Sequence, residues 1–159
     1  MTLQLTSDQV WKELQKELFA VLGMVTSKGE ARTVGVVYIV HDHKIYLSTR
    51  KDSWKVRHIQ RNPHVSITVP IAKRVPLMPW IKIPAATITF SGQARAFDAT
   101  EASNDIRQAL FRGVETDTNN LAAAIVEIAP IGDFVTYGVG VPLMRMRFPE
   151  KARGRASTA

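Results

Sequence analysis

Apolar stretches rich in β-branched residues succeed one another along this chain, and most of the connections between them are short. They run from Phe19 to Val25, Val34 to Val40, Ile45 to Thr49, His64 to Pro70, Ala86 to Phe97, Ala123 to Ala129 and Phe134 to Val139. Parallel neighbours need a crossover of about a dozen residues or more, whereas turns such as Ser27-Lys28-Gly29-Glu30 and the tip His41-Asp42-His43-Lys44 join only antiparallel strands. The expected fold class is therefore mainly β (α+β): an antiparallel β-barrel with short flanking helices.

Three segments carry helical signals instead. Thr6-Ser7-Asp8-Gln9 reads as a capping box, with Val10, Leu14 and Leu18 following at helical spacing, so a helix is expected at about 7 to 18. Asp52 or Ser53 can cap a helix from Trp54 to Arg61 that Pro63 ends. Ala102, Ile106, Ala109 and Leu110 place a third between Thr100 and Arg112. Between them, Pro70, Pro76, Pro79 and Pro84 mark a long excursion whose tip, Leu77-Met78-Pro79-Trp80-Ile81, is apolar and needs a surface to cover or a partner to meet. Asp117 to Asn120 forms a polar break before the last strands.

The chain's 159 residues suit one core, expected over residues 1–150, with 151–159 as a basic, flexible tail frayed from Gly154 onward. Hydrophobic content of 45% is that of a globular protein, and no apolar run of about 18 residues suggests a membrane span. Met1 to Gln9 lacks the pattern of a secretory signal, and zero cysteine excludes disulfides, thiolate catalysis and zinc-cysteine sites, so a cytoplasmic protein is expected. The net charge of +7 favours acidic partners in general, phosphorylated cofactors and nucleic acid alike.

One stretch narrows that choice. The strand ending in Ser48-Thr49-Arg50-Lys51 runs into the start of the Trp54 to Arg61 helix. Hydroxyls, cations and the free N–H groups of a helix N-terminus there converge as a cradle for a dianionic phosphate. Val56 and Ile59 with Trp54 share one side of that helix, which leaves Arg57 and Arg61 on a cationic stripe near Lys55. The same charges also suit an ordinary solvated helix face, and the hydroxyl pair at the strand end tips the reading toward a ligand.

The order of the pieces adds to this. A hairpin through Gly29-Glu30-Ala31-Arg32-Thr33-Val34-Gly35-Val36-Val37-Tyr38 precedes the strand Ile45-Tyr46-Leu47-Ser48-Thr49; then come Ser53-Trp54-Lys55, Arg61-Asn62-Pro63-His64-Val65-Ser66, Ser91-Gly92-Gln93-Ala94-Arg95-Ala96, Val126-Glu127-Ile128-Ala129-Pro130 and Val135-Thr136-Tyr137-Gly138. In sequence and spacing this resembles the FMN-binding split barrels related to pyridoxamine 5′-phosphate oxidase. The resemblance implies an antiparallel split β-barrel that pairs as a homodimer, with FMN, or alternatively a deazaflavin, in the groove between subunits.

Carried over residue by residue, it implies that Ser48 or Thr49 and Lys55 hold the phosphate, with Arg50 and Lys51 as nearby candidates. The flavin ring lies along Thr33, Val34, Gly35 and Val36, and Arg32 faces the ring or the ribityl chain. Gly35 would let the ring approach the backbone, or else mark a bulge or tight bend. The implied activity is a flavin-dependent oxidoreductase acting on a small-molecule redox substrate, with no side chain required as acid or base. Trp54 stands where the vitamin-making oxidases carry a second cation, and the Arg-rich tail lacks their substrate-recognition residues, so pyridoxamine phosphate is not the expected substrate.

Other constellations carry less. His41-x-His43 has only Asp42 nearby, which points to a polar turn rather than a metal site. His58 and His64 flank the Asn62-Pro63 corner as surface residues, and no nucleophile-elbow sequence surrounds any serine. A basic barrel can also bind single-stranded nucleic acid without being an enzyme, but aromatics make up only 8% of this chain and do not interleave with the basic residues on any strand.

Overall fold

The computed structural model describes residues 3–73, 80, 83, 85–111 and 122–158. Its strands are β1 (Leu3–Gln4), β2 (Phe19–Val25), β3 (Ala31–Val37), β4 (Ile39–His41), β5 (Lys44–Arg50), β6 (His64–Ile71), β7 (Ala86–Asp98), β8 (Ala123–Tyr137) and β9 (Arg153–Ser157). The helices are α1 (Ser7–Lys16), α2 (Trp54–Arg61), α3 (Asn104–Phe111) and the single turn α4 (Pro149–Ala152), with 3-10 segments at Ala99–Glu101 and Leu143–Arg147.

Pairing runs β1-β9-β8-β7-β6-β2-β3, and β5 joins β4 to β8. The first part of β8, Ala123 to Ile128, pairs with β5, while its last part, Asp133 to Tyr137, pairs with β9. β7 accompanies both parts, so the sheet forks along β8, and the fold is the split barrel the sequence led us to expect. Expected as two strands, this region is one strand with a bulge: Thr89 pairs with Val135 and Ser91 with Ile131, leaving Phe90 opposite the segment around Gly132. Gly132 has φ +78°, a conformation glycine adopts without steric cost, and the chain bends there without leaving the sheet.

Inward-facing residues alternate along the strands. Ala20, Leu22 and Met24 of β2, Val65, Ile67 and Val69 of β6, and Ile88 and Phe90 of β7 join Ile45, Leu47 and Phe134 in one core. Helix α1 caps it with Val10, Trp11 and Leu14, and it starts with the capping box expected: Thr6 Oγ1 accepts from Gln9 N at 3.2 Å, and Thr6 N donates to Gln9 Oε1 at 3.0 Å.

The stretch from Val34 to Val40, read as one strand, divides at Tyr38. Buried Tyr38 donates its N–H to the Leu18 carbonyl at 3.0 Å and its hydroxyl to the Leu14 carbonyl at 2.8 Å. The first bond continues the β2–β3 register by one residue, and the second satisfies an acceptor near the end of α1. The hairpin that follows turns on Asp42 and His43, both with positive φ, as a tight two-residue turn requires.

The C-terminal end departs from the expected frayed tail. Arg153–Ser157 pairs antiparallel with β8 and parallel with β1 because its side chains alternate, with Gly154 and Ala156 inward and Arg153 and Arg155 outward. Small residues on one face are what let this arginine-rich segment lie in a sheet. Helix α3 is shorter than expected because Ala102 is extended and separates it from the preceding 3-10 turn. The apolar tip at Leu77 to Ile81 lies outside the described residues apart from exposed Trp80, and the break at Asp117 to Asn120 lies wholly outside them.

Candidate functional site

The residues read from the sequence as a phosphate cradle stand around the junction of β5 and α2, but they divide. Ser53, not Asp52, caps α2: its hydroxyl accepts from Val56 N at 3.4 Å and from Thr49 Oγ1 at 3.2 Å. Asp52 instead takes a two-pronged contact from Arg50, at 3.0 Å from Nε and 2.7 Å from Nη2. Lys51 Nζ lies 2.7 Å from Asp98 at the end of β7. Strand alternation turns Ser48 outward between buried Leu47 and half-buried Thr49.

Lys55 goes elsewhere. The second residue of α2, it lines a cavity of about 300 Å³ together with Ser48, with Gly35, Val36 and Val37 of β3, with Tyr38 and Ile39, and with Ala109 and Leu110 of α3. Among the described residues no carboxylate lies within ion-pair distance of its ammonium, which stands 5.4 Å from the Trp54 ring centroid. Arg32 approaches the same indole, also at 5.4 Å. Trp54, half-buried against the core and edge-on to His58, thus stands beside both cations.

The structure brings Gly35, Val36, Ser48 and Lys55 into one cavity and leaves the other sequence candidates beside it. Val34 packs into the core, and Arg32 and Thr33 line a neighbouring hollow on the outer face of β2, β3 and β6. Thr49 is engaged with Ser53, and Arg50 and Lys51 are held by their carboxylates. At Gly35 the strand is regular, paired with Val21, so there is no bulge. A Cβ there would meet the Phe19 ring at 2.7 Å, so the glycine makes room for that ring within the chain itself.

Sequence reasoning missed Val37, Tyr38, Ile39, Ala109 and Leu110 as lining residues. The apolar spacing of α3 was visible, but only the tertiary fold brings that helix over β4 and β5. Beneath it lies a polar cluster. Tyr46 donates to Glu127 Oε2 at 2.8 Å, and Lys44 and Arg95 reach Oε1 at 3.4 and 3.5 Å. Burial and that hydrogen bond push the Tyr46 hydroxyl up to about 12. For Glu127 burial works the other way, yet the Tyr46 hydrogen bond and the two cations outweigh it and hold the carboxyl below its ordinary range. Burial, reinforced by Glu17, also raises the Tyr38 hydroxyl.

A cavity with apolar walls, the Ser48 hydroxyl and the Lys55 ammonium, its Tyr38 hydroxyl being engaged with Leu14, is chemically suited to a flat aromatic ligand bearing an anionic group. Among the described residues no helix is long and apolar enough to cross a membrane.

Comparison with known proteins bears on the family and the fold. The family described as pyridoxamine 5′-phosphate oxidase matches residues 6–130. None of the curated proteins compared with the chain matches its sequence. Similar solved structures include an FAD-binding protein from Mesorhizobium loti (16% identity, 79% of this chain and 88% of that one, TM-score 0.61). An F420 reductase is 18% identical over 77% of this chain and 94% of its own, with a TM-score of 0.54. A haem storage protein from Vibrio cholerae is 13% identical, covering 85% and 97%, with a TM-score of 0.60.

Proposed function

Because the chain belongs to the pyridoxamine 5′-phosphate oxidase family, we propose that it is a flavin-dependent oxidoreductase that binds FMN between two copies of itself and acts on a small-molecule redox substrate. The observation that carries the reading is the convergence of Ser48 and Lys55 with the backbone of Gly35 and Val36 on one cavity. Ser48 and Lys55 hold the phosphate, and β3 with Leu110 supplies apolar walls for the ring. When bound, the flavin supplies the hydride or electron chemistry; the residues bind, orient and screen it. A deazaflavin fits the same donors, and the likeness to an F420 reductase supports that variant.

The homodimer is part of the proposal. Leu18, Phe19 and Val37 are 50%, 48% and 68% exposed, an apolar surface beside the cavity that a second copy would cover. The protein should sediment as a dimer at low micromolar concentration, because obligate interfaces are large and apolar. A stable folded monomer there contradicts the proposed assembly.

The direct test of function is the absorbance of freshly purified protein and the mass of any ligand it releases. Flavin bands with a released FMN or deazaflavin support the reading. A haem band, or colourless protein that binds oligonucleotides in a salt-sensitive way, contradicts it.

A further inference from the structure

The 3-10 segment Leu143–Arg147 and α4 link β8 to β9. A 3-10 helix repeats every three residues, so Leu143 and Met146 share one side, Met144 and Arg147 a second, and Arg145 and Phe148 a third. The first side faces inward: Met146 is buried in the core, and Leu143 packs against the same cluster. The Tyr137 hydroxyl donates to the Met146 carbonyl, and Gly138 N donates to the Ala152 carbonyl at 2.8 Å. The link is thus tied to the end of β8, and its other two sides face outward.

What those sides present is both apolar and basic. Met144 is 75% exposed and Phe148 51%. A single exposed hydrophobic residue needs no explanation, but these two stand among Arg145, Arg147, Lys151 and Arg153, all exposed. Among the described residues none of the four cations lies within ion-pair distance of a carboxylate. Glu150 is the one acidic residue between Leu143 and Arg153, so the surface favours an anionic partner. Binders of single-stranded nucleic acid add aromatic faces on which successive bases stack. Here there is one ring, and Lys151 Nζ already stands 5.0 Å from its centroid. A lipid surface asks instead for apolar side chains that enter the headgroup boundary, ringed by cations whose stems lie along the apolar layer and whose heads stay wet.

We propose that this link docks the protein on the surface of an anionic membrane, with Met144 and Phe148 seated at the headgroup boundary and Arg145, Arg147, Lys151 and Arg153 against lipid phosphates. The contact is peripheral and reversible, because two apolar anchors and a basic cluster bind a bilayer without spanning it. It stands independently of the cofactor reading.

The test is flotation of the full chain with vesicles of phosphatidylcholine alone or with about one-third phosphatidylserine. Binding to the anionic vesicles is expected to be stronger by about tenfold or more, and to weaken as salt screens the charges. Met144→Ser combined with Phe148→Ser should reduce it by about tenfold through the lost apolar contact. Arg147→Glu should reduce it by about fivefold or more, while Lys28→Glu, the same change of charge in the turn between β2 and β3, stays within about twofold. The substituted side chains are exposed, so each variant should melt with the unaltered protein. Equal binding to both kinds of vesicle overturns the proposal. So does a loss at Lys28→Glu as large as that at Arg147→Glu, which would reduce the effect to net charge. Oligonucleotide binding that Arg147→Glu abolishes, with vesicles left unbound, overturns it as well and makes the link a nucleic-acid contact. A dimer that the Met144 and Phe148 substitutions turn into monomer, again without vesicle binding, makes it a seat for a second copy instead.

Discussion

Two groups of cations around β5, α2 and the start of β3 have different neighbours. Lys44, Arg50 and Lys51, on β5 or just past it, each lie against a carboxylate, Glu127, Asp52 and Asp98 respectively. Lys55 and Arg32 instead stand over the Trp54 indole with no carboxylate in reach among the described residues. In sequence nothing separates the five as basic residues. In the fold, three stand beside a carboxylate and two do not, so proximity to the motif does not tell which cation is left without an acidic neighbour.

That contrast can be broken most forcefully at Lys55. A charge-assisted contact to phosphate in a partly desolvated groove is worth about 1.5 to 3 kcal/mol. Lys55→Glu removes it and adds like-charge repulsion, so FMN affinity should fall by more than about a hundredfold in a fluorescence titration. Unchanged binding would put Lys55 with the paired group.

The paired group makes its own prediction through the Tyr46–Glu127–Lys44 cluster. In the unfolded chain the Tyr46 hydroxyl ionises near its ordinary value of about 10. In the folded chain it keeps its proton to about 12. Between those values the folded state binds more protons than the unfolded one, so stability falls as pH rises. The unfolding midpoint of the unaltered protein should drop more steeply from about pH 10 to 12 than that of Tyr46→Phe, measured by circular dichroism. Parallel curves would dissolve the cluster's claimed role.

Between the groups sits Ser53, whose hydroxyl caps α2 and receives Thr49. Ser53→Ala should cost about 1 kcal/mol. For a chain of this length that is a melting temperature lowered by about 2–4 °C. The smallest effects belong to Arg50→Ala and Lys51→Ala. Exposed ion pairs contribute about 0–1 kcal/mol, and both side chains are already engaged, so FMN affinity should move less than about twofold. A loss comparable to that at Lys55 would erase the distinction between the groups.

Much of this was legible in the sequence, for local reasons. The capping box at Thr6, the tight turn at Asp42-His43 and the stop at Pro63 depend on neighbours a few residues away, and each formed as read. What escaped depends on partners far along the chain. Asp98 reaches Lys51, Glu127 reaches Lys44, Phe19 fills the space over Gly35, and α3 brings Leu110 to the cavity wall. The C-terminal strand was misread for the same reason. Its arginines suggested solvent, while the buried Gly154 and Ala156 alternate with them and let the segment pair between β1 and β8.

The most direct measurement compares FMN with riboflavin, which has the same ring without the phosphate, in the unaltered protein and in Lys55→Ala. If Lys55 holds the phosphate, FMN affinity falls about ten- to a hundredfold, riboflavin affinity stays nearly constant, and Lys55→Arg recovers part of the loss because the charge survives. Equal losses for both ligands, or no loss for either, would contradict the phosphate role and leave α2 an ordinary basic helix.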